Sequence, residues 1–156
     1  MRRMLILGVG NELRGDDGVG FLVAADLARD NDDLFTSVPV GIAVENASHL
    51  ALRWPADVVV IVDAVVSSGR RLRPWQLLPV SAADTLCHTT HSIPLSLLAR
   101  YWQHERPGLE VVLLGIRIAA NAEGTAVSPD VLRVRQSVVD VVRTALGRRI
   151  VSSPGQ

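Results

Sequence analysis

The chain has 156 residues, of which 48% are hydrophobic, and its 16 basic and 16 acidic side chains cancel in formal charge. This length suits one domain of ordinary size, and we expect a domain over residues 1–149 followed by a flexible tail at 150–156. A neutral formal charge gives no general attraction to nucleic acid or to an anionic membrane, so the partners of this chain must be recognised locally.

Cysteine content and apolar runs bear on the compartment. A single cysteine, Cys87, excludes an internal disulfide and a metal cluster made of cysteines alone. No apolar run reaches the length of a transmembrane helix, and the N-terminal run soon meets Asn11, Glu12 and Arg14. We therefore expect a cytoplasmic protein that does not insert into membranes.

Strands and helices are predicted to alternate through the first half of the chain. The run RMLILGV is typical of a strand buried on both faces, and the run ADVVVIVDAV is rich in β-branched residues. Pro39 argues against a central position for its part of the sheet. In order, we predict a strand at 3–9, a helix at 18–30, a strand at 34–42, a helix at 45–54 and a strand at 56–65.

The second half continues the alternation. A weak strand at 72–80 is interrupted by prolines, which favours the edge of the sheet, and a strand at 109–118 is strongly apolar. A helix is predicted at 91–102 with Pro94 near its first turn, and a long final helix opens with Ser128 as its cap. This order indicates an α/β fold, a single-domain three-layer sandwich with a mainly parallel twisted sheet flanked by helices.

Three candidate site residues follow from this architecture. In open α/β sheets, functional groups collect beyond the carboxyl ends of the strands. Asp16 follows the first strand, Asp63 ends the third, and His91 lies where the loop CHTTHS becomes a helix. Two carboxylates and one imidazole form a ligand set with open positions, suited to a borderline divalent metal.

Each candidate also has a structural interpretation. Of Asp16 and Asp17, one can cap the helix while the other faces the cleft. Asp63, at the end of an apolar run, is either exposed at the sheet edge or paired. A lone histidine is more often structural than a ligand, and His88 competes with His91. Cys87 could be a soft ligand or a nucleophile, but a lone cysteine is more commonly a small buried hydrophobe.

The glycine-rich stretch LGVGNELRGDDGVG does not fit a phosphate-binding loop. The dinucleotide pattern is met at Gly8 and Gly10 but fails at its third glycine, because position 13 is leucine. No Gly-Lys-Ser/Thr is present, and a phosphate would meet the carboxylates of Asp16 and Asp17. A cation is therefore the expected ligand of this loop.

Several stretches together resemble one family, the hydrogenase maturation endopeptidases. LGVGNELRGDDGVG, VVVIVDAV and TTHSIPL occur in that family's order and approximate spacing. The segment GIRIAANAEGTAVSPDV at 115–131 is similar to its closing strand and helix, and the resemblance covers most of residues 4–146.

The resemblance implies an endopeptidase that removes a C-terminal extension from the large-subunit precursor of a nickel-iron hydrogenase. It carries the family's metal-contacting positions onto Asp16, Asp63 and His91, which would be both metal ligands and catalytic residues. Nickel would be supplied by the precursor, and no organic cofactor is expected. We further expect a monomer, an aspartic-type classification, and the precursor as the protein partner.

Two other classes of function remain open at the level of sequence. A non-catalytic nickel carrier would use the same three ligands without cutting anything. An independent metallohydrolase would cut small substrates and would need a tightly held metal of its own, which two single carboxylates and one imidazole favour less.

Overall fold

The fold is seen in a computed structural model that describes residues 2–67, 69, 71–87, 92–119, 124 and 126–147. Within this part of the chain, one sheet has the strand order β2-β1-β3-β5-β4, in which only β4 runs antiparallel to its neighbour. Its strands are β1 (Met4–Val9), β2 (Phe35–Gly41), β3 (Val58–Val65), β4 (Trp75–Pro79) and β5 (Glu110–Arg117).

Helices cover both faces of this sheet, which gives the three predicted layers. One face packs against α1 and α5, and the other packs against α2, α3 and α4. The helices are α1 (Val19–Leu27), α2 (Ser48–Arg53), α3 (Ala83–Leu86), α4 (Leu95–Glu105) and α5 (Pro129–Ala145). The predicted α/β sandwich with a mainly parallel sheet is confirmed.

The central strand β3 is buried along its whole length because helices lie on both sides of it. Alternate side chains point to opposite faces, so Ile61 and Val65 join the core with Trp102, whereas Val60 and Val62 join the core beneath α1 and α5. A continuous apolar run is the sequence form that such a strand requires.

Prolines and caps act as the sequence indicated. Pro39 lies in β2 and Pro79 ends β4, and both strands are edges of the sheet, where a missing N–H is tolerated. Helix α5 begins at Pro129, and the Ser128 side chain accepts a hydrogen bond from the Val131 N–H. The predicted edge position of β4 and the predicted cap are therefore confirmed, and Pro39 lies outside the central strands as its sequence position indicated.

Three details of the predicted elements differ in the structure: the start of one helix, one short helix, and the position of Asp63 within its strand. Helix α4 begins at Leu95 rather than at 91, because Pro94 keeps an extended backbone at the N-cap. The short helix α3 carries no periodic apolar pattern and was not predicted. Strand β3 runs to Val65, so Asp63 lies inside the strand and not at its end. The tail at 150–156 lies outside the described residues.

Candidate functional site

A compact glycine-rich loop joins β1 to α1 and carries two buried acids. Gly10 has a φ of +133°, and a Cβ built there would lie 2.1 Å from the carbonyl oxygen of Asp17. At Gly18 a Cβ would lie 2.7 Å from the Cα of Glu12. These glycines allow the loop to fold back on itself and end in a 3₁₀ turn, Gly15–Gly18, which we call the acidic turn.

Asp16 of the acidic turn is tied to the start of α5. Its exposed fraction is 8%, and its Oδ1 accepts a hydrogen bond of 2.7 Å from the Ser128 N–H. Its Oδ2 accepts a second bond, of 3.0 Å, from the Ser128 hydroxyl. Asp16 also lines a cleft with Arg117 and Asp130. Both oxygens of this carboxylate are therefore engaged with the segment that opens the last helix.

Asp63 is fully buried and paired, which is one of the two alternatives that the sequence left open. Its exposed fraction is 0%, and its Oδ1 accepts a hydrogen bond of 2.8 Å from the Ala64 N–H. Because Asp63 lies two residues from both Ile61 and Val65 in the strand, its side chain belongs to the same sheet face, which α2, α3 and α4 cover. A fully buried carboxylate on a central strand is a strong candidate for a functional role.

Cys87 lies beside Asp63. It forms an antiparallel β-bridge with Val65, which puts its side chain on the sheet face of Asp63, and its neighbour Leu86 accepts a 2.7 Å hydrogen bond from the Val66 N–H. Burial, followed by the charge of Asp63 and a hydrogen bond to it, raises the pKa of the Cys87 thiol far above its ordinary value. The thiol is therefore protonated near neutral pH in the metal-free protein.

Asp17 is oriented differently from Asp16. Its exposed fraction is 4%, and the Asn11 N–H approaches its Oδ2 at 3.4 Å. Its charge is the smallest contribution to the raised pKa of Cys87, after burial, Asp63 and Asp84. The acidic turn also packs against β3. Asp17 therefore accepts a hydrogen bond from the backbone of its own loop, whereas Asp16 is bonded to the start of α5.

His91 and His88 lie outside the described residues, but both ends of the segment that contains them are described. At one end Cys87 bridges to β3. At the other end the Ser92 hydroxyl donates a 3.0 Å hydrogen bond to Oε1 of Glu45, which follows β2. Both anchor points are near the carboxyl ends of strands.

The predicted ligand set of Asp16, Asp63 and His91 remains a prediction. Among the described residues, no group of three His, Cys, Asp or Glu side chains is placed to hold a metal ion. One member of the predicted set is not among these residues, so this finding does not test it. Carboxylate and imidazole donors together suit a borderline divalent ion in chemical terms.

Sequence reasoning missed the contacts that Ser128 and Cys87 make. The SPD pattern identified Ser128 as a helix cap, but nothing local indicates a bond to a residue 112 positions away. For Cys87, no periodic pattern marks the β-bridge that brings it to β3. Contacts of this kind depend on how distant segments meet.

Comparisons with solved structures give a consistent result. A nickel-iron hydrogenase maturation protease, HycI of Thermococcus kodakarensis, is 25% identical, with 94% of each chain covered and a TM-score of 0.79. A hydrogenase 2 maturation peptidase from a Thaumarchaeota archaeon is 27% identical, with 95% of this chain and 100% of that chain covered and a TM-score of 0.60.

A comparison with curated proteins points the same way. A Methanocaldococcus jannaschii protein that is provisionally named a hydrogenase maturation protease is 23% identical over 124 residues, which are 74% of this chain and 72% of that protein. No family model matches the chain. None of the helices in the described part is long and apolar enough to cross a membrane.

The resemblance predicted from the three sequence stretches is confirmed at the level of fold. The neighbours match this chain over nearly its whole length, and those quoted above are maturation proteases or peptidases by name. This supports the predicted peptidase class. In fold and in sequence, the chain is therefore similar to the hydrogenase maturation proteases.

Proposed function

We propose that this protein is an endopeptidase that removes a C-terminal extension from the nickel-loaded large-subunit precursor of a nickel-iron hydrogenase. One observation carries the proposal: a chain whose fold matches maturation proteases from end to end buries Asp63 and the acidic turn near the carboxyl ends of its central strands. Ligand and substrate sites of open α/β sheets collect at this edge.

The proposed site combines Asp63, the acidic turn and His91. Asp63 is hydrogen-bonded to Cys87, the acidic turn packs against the strand that carries Asp63, and Asp16 joins the turn to α5. His91 would add an imidazole from the segment anchored at Cys87 and Ser92. Two carboxylates and an imidazole leave room for further ligands, so nickel carried by the substrate could complete its coordination there.

If the enzyme recognises the nickel of its substrate, cleavage occurs only after the metal has been inserted into the precursor. Two carboxylates and one imidazole, without a thiolate, hold a free divalent ion loosely, since affinity grows with the number and softness of the ligands. The raised pKa of Cys87 supports this, because a protonated thiol is a poor ligand. For the hydrolysis itself, a carboxylate can take the proton of the attacking water, or the substrate's metal can polarise the scissile carbonyl.

The test crosses two preparations of enzyme with two preparations of precursor. Enzyme is either stripped of metal or soaked in nickel, precursor is either nickel-loaded or nickel-free, and mass spectrometry measures release of the C-terminal peptide. We expect metal-free enzyme to process nickel-loaded precursor and nickel-soaked enzyme to fail on nickel-free precursor, because the nickel belongs to the substrate.

The other outcomes are informative. Efficient cleavage of nickel-free precursor by nickel-soaked enzyme would contradict recognition of the substrate's metal and favour an independent metallohydrolase. Binding of nickel-loaded precursor without cleavage in any combination would instead identify a carrier. Asp63→Asn serves as the inactive control. It nearly preserves the shape of the side chain and removes its charge, so it should not release the C-terminal peptide at the wild-type rate in any combination.

A further inference from the structure

The start of α5 makes a paired contact with the acidic turn. The Ser128 backbone N–H donates a hydrogen bond of 2.7 Å to Oδ1 of Asp16, and the Ser128 hydroxyl donates one of 3.0 Å to Oδ2. The same hydroxyl oxygen accepts a hydrogen bond of 3.4 Å from the Val131 N–H, which caps the helix. One side chain therefore both begins α5 and holds the carboxylate of a residue 112 positions earlier.

The segment before α5 also packs on the backbone of the turn. Gly15 has a φ of +57°, and a Cβ built there would lie 2.9 Å from the carbonyl oxygen of Gly124 and 3.0 Å from that of Ala126. These contacts are independent of the Asp16 hydrogen bonds. Two kinds of contact thus hold the acidic turn against the segment that leads into α5: the backbone packing at Gly15 and the hydrogen bonds of the Asp16 side chain.

The position of the turn determines where the next acid lies. Asp17 directly follows Asp16 in the same 3₁₀ turn, so a rotation or shift of one moves the other. On its other side the turn packs against β3, the strand that carries Asp63. Two hydrogen bonds to both oxygens of one carboxylate restrict its rotation, which a single bond would not do.

From these contacts we infer that Ser128 is a positioning residue, which acts through Asp16 to hold the acidic turn in place against Asp63. This inference rests on the proposed peptidase function, in which Asp63 and the acidic turn form part of the site. Ser128 itself need not touch the substrate. Its role differs from that of an ordinary helix cap, because the cap serves α5 while the donated hydrogen bonds serve the site.

Three substitutions separate these two roles. Ser128→Thr keeps the hydroxyl and the cap. Ser128→Asp keeps a good capping group but replaces the O–H donor with an anion that repels Asp16. Ser128→Ala removes the cap and the hydroxyl donor and leaves the backbone N–H bond. As a matched control, Val138→Ala creates a space in the buried face of α5 away from the acidic turn, where Val138 is 1% exposed.

Processing kinetics and amide hydrogen exchange are the two readouts. In Ser128→Asp we expect kcat on nickel-loaded precursor to fall by about 10- to 100-fold with little change in KM, the loss typical of a misplaced reacting group. Ser128→Ala should fall less, and Ser128→Thr should match the wild type. Val138→Ala should lower the melting temperature without lowering kcat at a temperature where it is folded.

Hydrogen exchange keeps the inference testable if the proposed function fails. Exchange in the peptide spanning 11–18 should become faster in the Asp and Ala variants than in Ser128→Thr or Val138→Ala, whatever the activity. If the wild type processes no precursor, the proposed function fails and exchange alone decides. Unchanged exchange in the Asp variant, or faster exchange with a wild-type kcat, would overturn the positioning role.

Discussion

Asp16 and Asp17 are neighbours in sequence but make different contacts. Both oxygens of Asp16 are hydrogen-bonded to Ser128, whereas Oδ2 of Asp17 accepts a hydrogen bond from the Asn11 N–H. The sequence assigned Asp16, and not Asp17, to the predicted ligand set with Asp63 and His91. Because both oxygens of Asp16 are occupied by Ser128, we expect Asp17 to be the acid of the turn that acts with Asp63.

Substitution of each acid by asparagine tests this division. Asp17→Asn and Asp63→Asn should each lower kcat/KM on nickel-loaded precursor by about 100-fold or more, as loss of a catalytic carboxylate does. Asp16→Asn should lower it by about tenfold, since its hydrogen bonds to Ser128 weaken from charged to neutral but can still form. Circular dichroism checks folding in each case. A larger loss of kcat/KM for Asp16→Asn than for Asp17→Asn would contradict this division and support Asp16 as the acid of the turn that acts in the site.

At the scale of elements, the acidic turn is positioned by the close approach of α1 to the sheet. A Cβ built at Gly20 would lie 2.2 Å from the carbonyl oxygen of Val62 and 2.4 Å from that of Val9. Both atoms are backbone atoms of central strands, so a side chain could be accommodated only by moving the helix. Because α1 directly follows the turn, its distance from the sheet also sets the height of the turn above β3.

Gly20→Ala should therefore destabilise the fold by about 3 kcal/mol, the upper part of the usual range for overpacking, and should also slow processing. Gly147→Ala is the comparison, because Gly147 has a φ of +67° but no atom within 4 Å of a built Cβ. Its cost, from backbone strain alone, should be about 1 kcal/mol. Urea unfolding measures both values. Equal costs would mean that α1 can move away from the sheet at little expense.

At the scale of the whole molecule, alkaline pH should weaken the fold through one thiol. The folded chain holds the Cys87 proton because burial and Asp63 raise its pKa, while the unfolded chain releases it above the ordinary value of 9.0. The unfolded state then binds fewer protons than the folded state, so stability falls as pH rises. The chain has no lysine and one tyrosine, so few other groups titrate in this range.

Urea unfolding of metal-free protein between pH 7 and pH 10.5 measures this effect. The free energy of unfolding should be level below pH 8 and should fall above pH 9 with a slope approaching about 1.4 kcal/mol per pH unit, the value for one proton. Cys87→Ser should remove most of this slope, because serine does not titrate but can still donate to Asp63. If the free energies of unfolding of the two proteins changed with pH in parallel, the Cys87 thiol would have the same pKa in the folded and unfolded states, and the prediction would be wrong.

Local patterns in the sequence were sufficient for the five strands and for four of the five α-helices that the structure describes. Apolar runs identified β1, β3 and β5, prolines indicated that β2 and β4 are edges, and a serine followed by proline located the start of α5. These features depend on a few neighbouring residues, which is why they can be read without a partner segment. The loop between β1 and α1 was likewise recognisable from its glycines and its two acids.

Only the tertiary structure decided which side chains meet. The strand order brings β3 between β1 and β5, and the alternation along β3 directs Asp63 to one face of the sheet. The β-bridge at Cys87 and the bonds from Ser128 to Asp16 join segments that are 22 and 112 residues apart. No local pattern encodes such pairs, because they arise when strand order and register bring distant parts of the chain together.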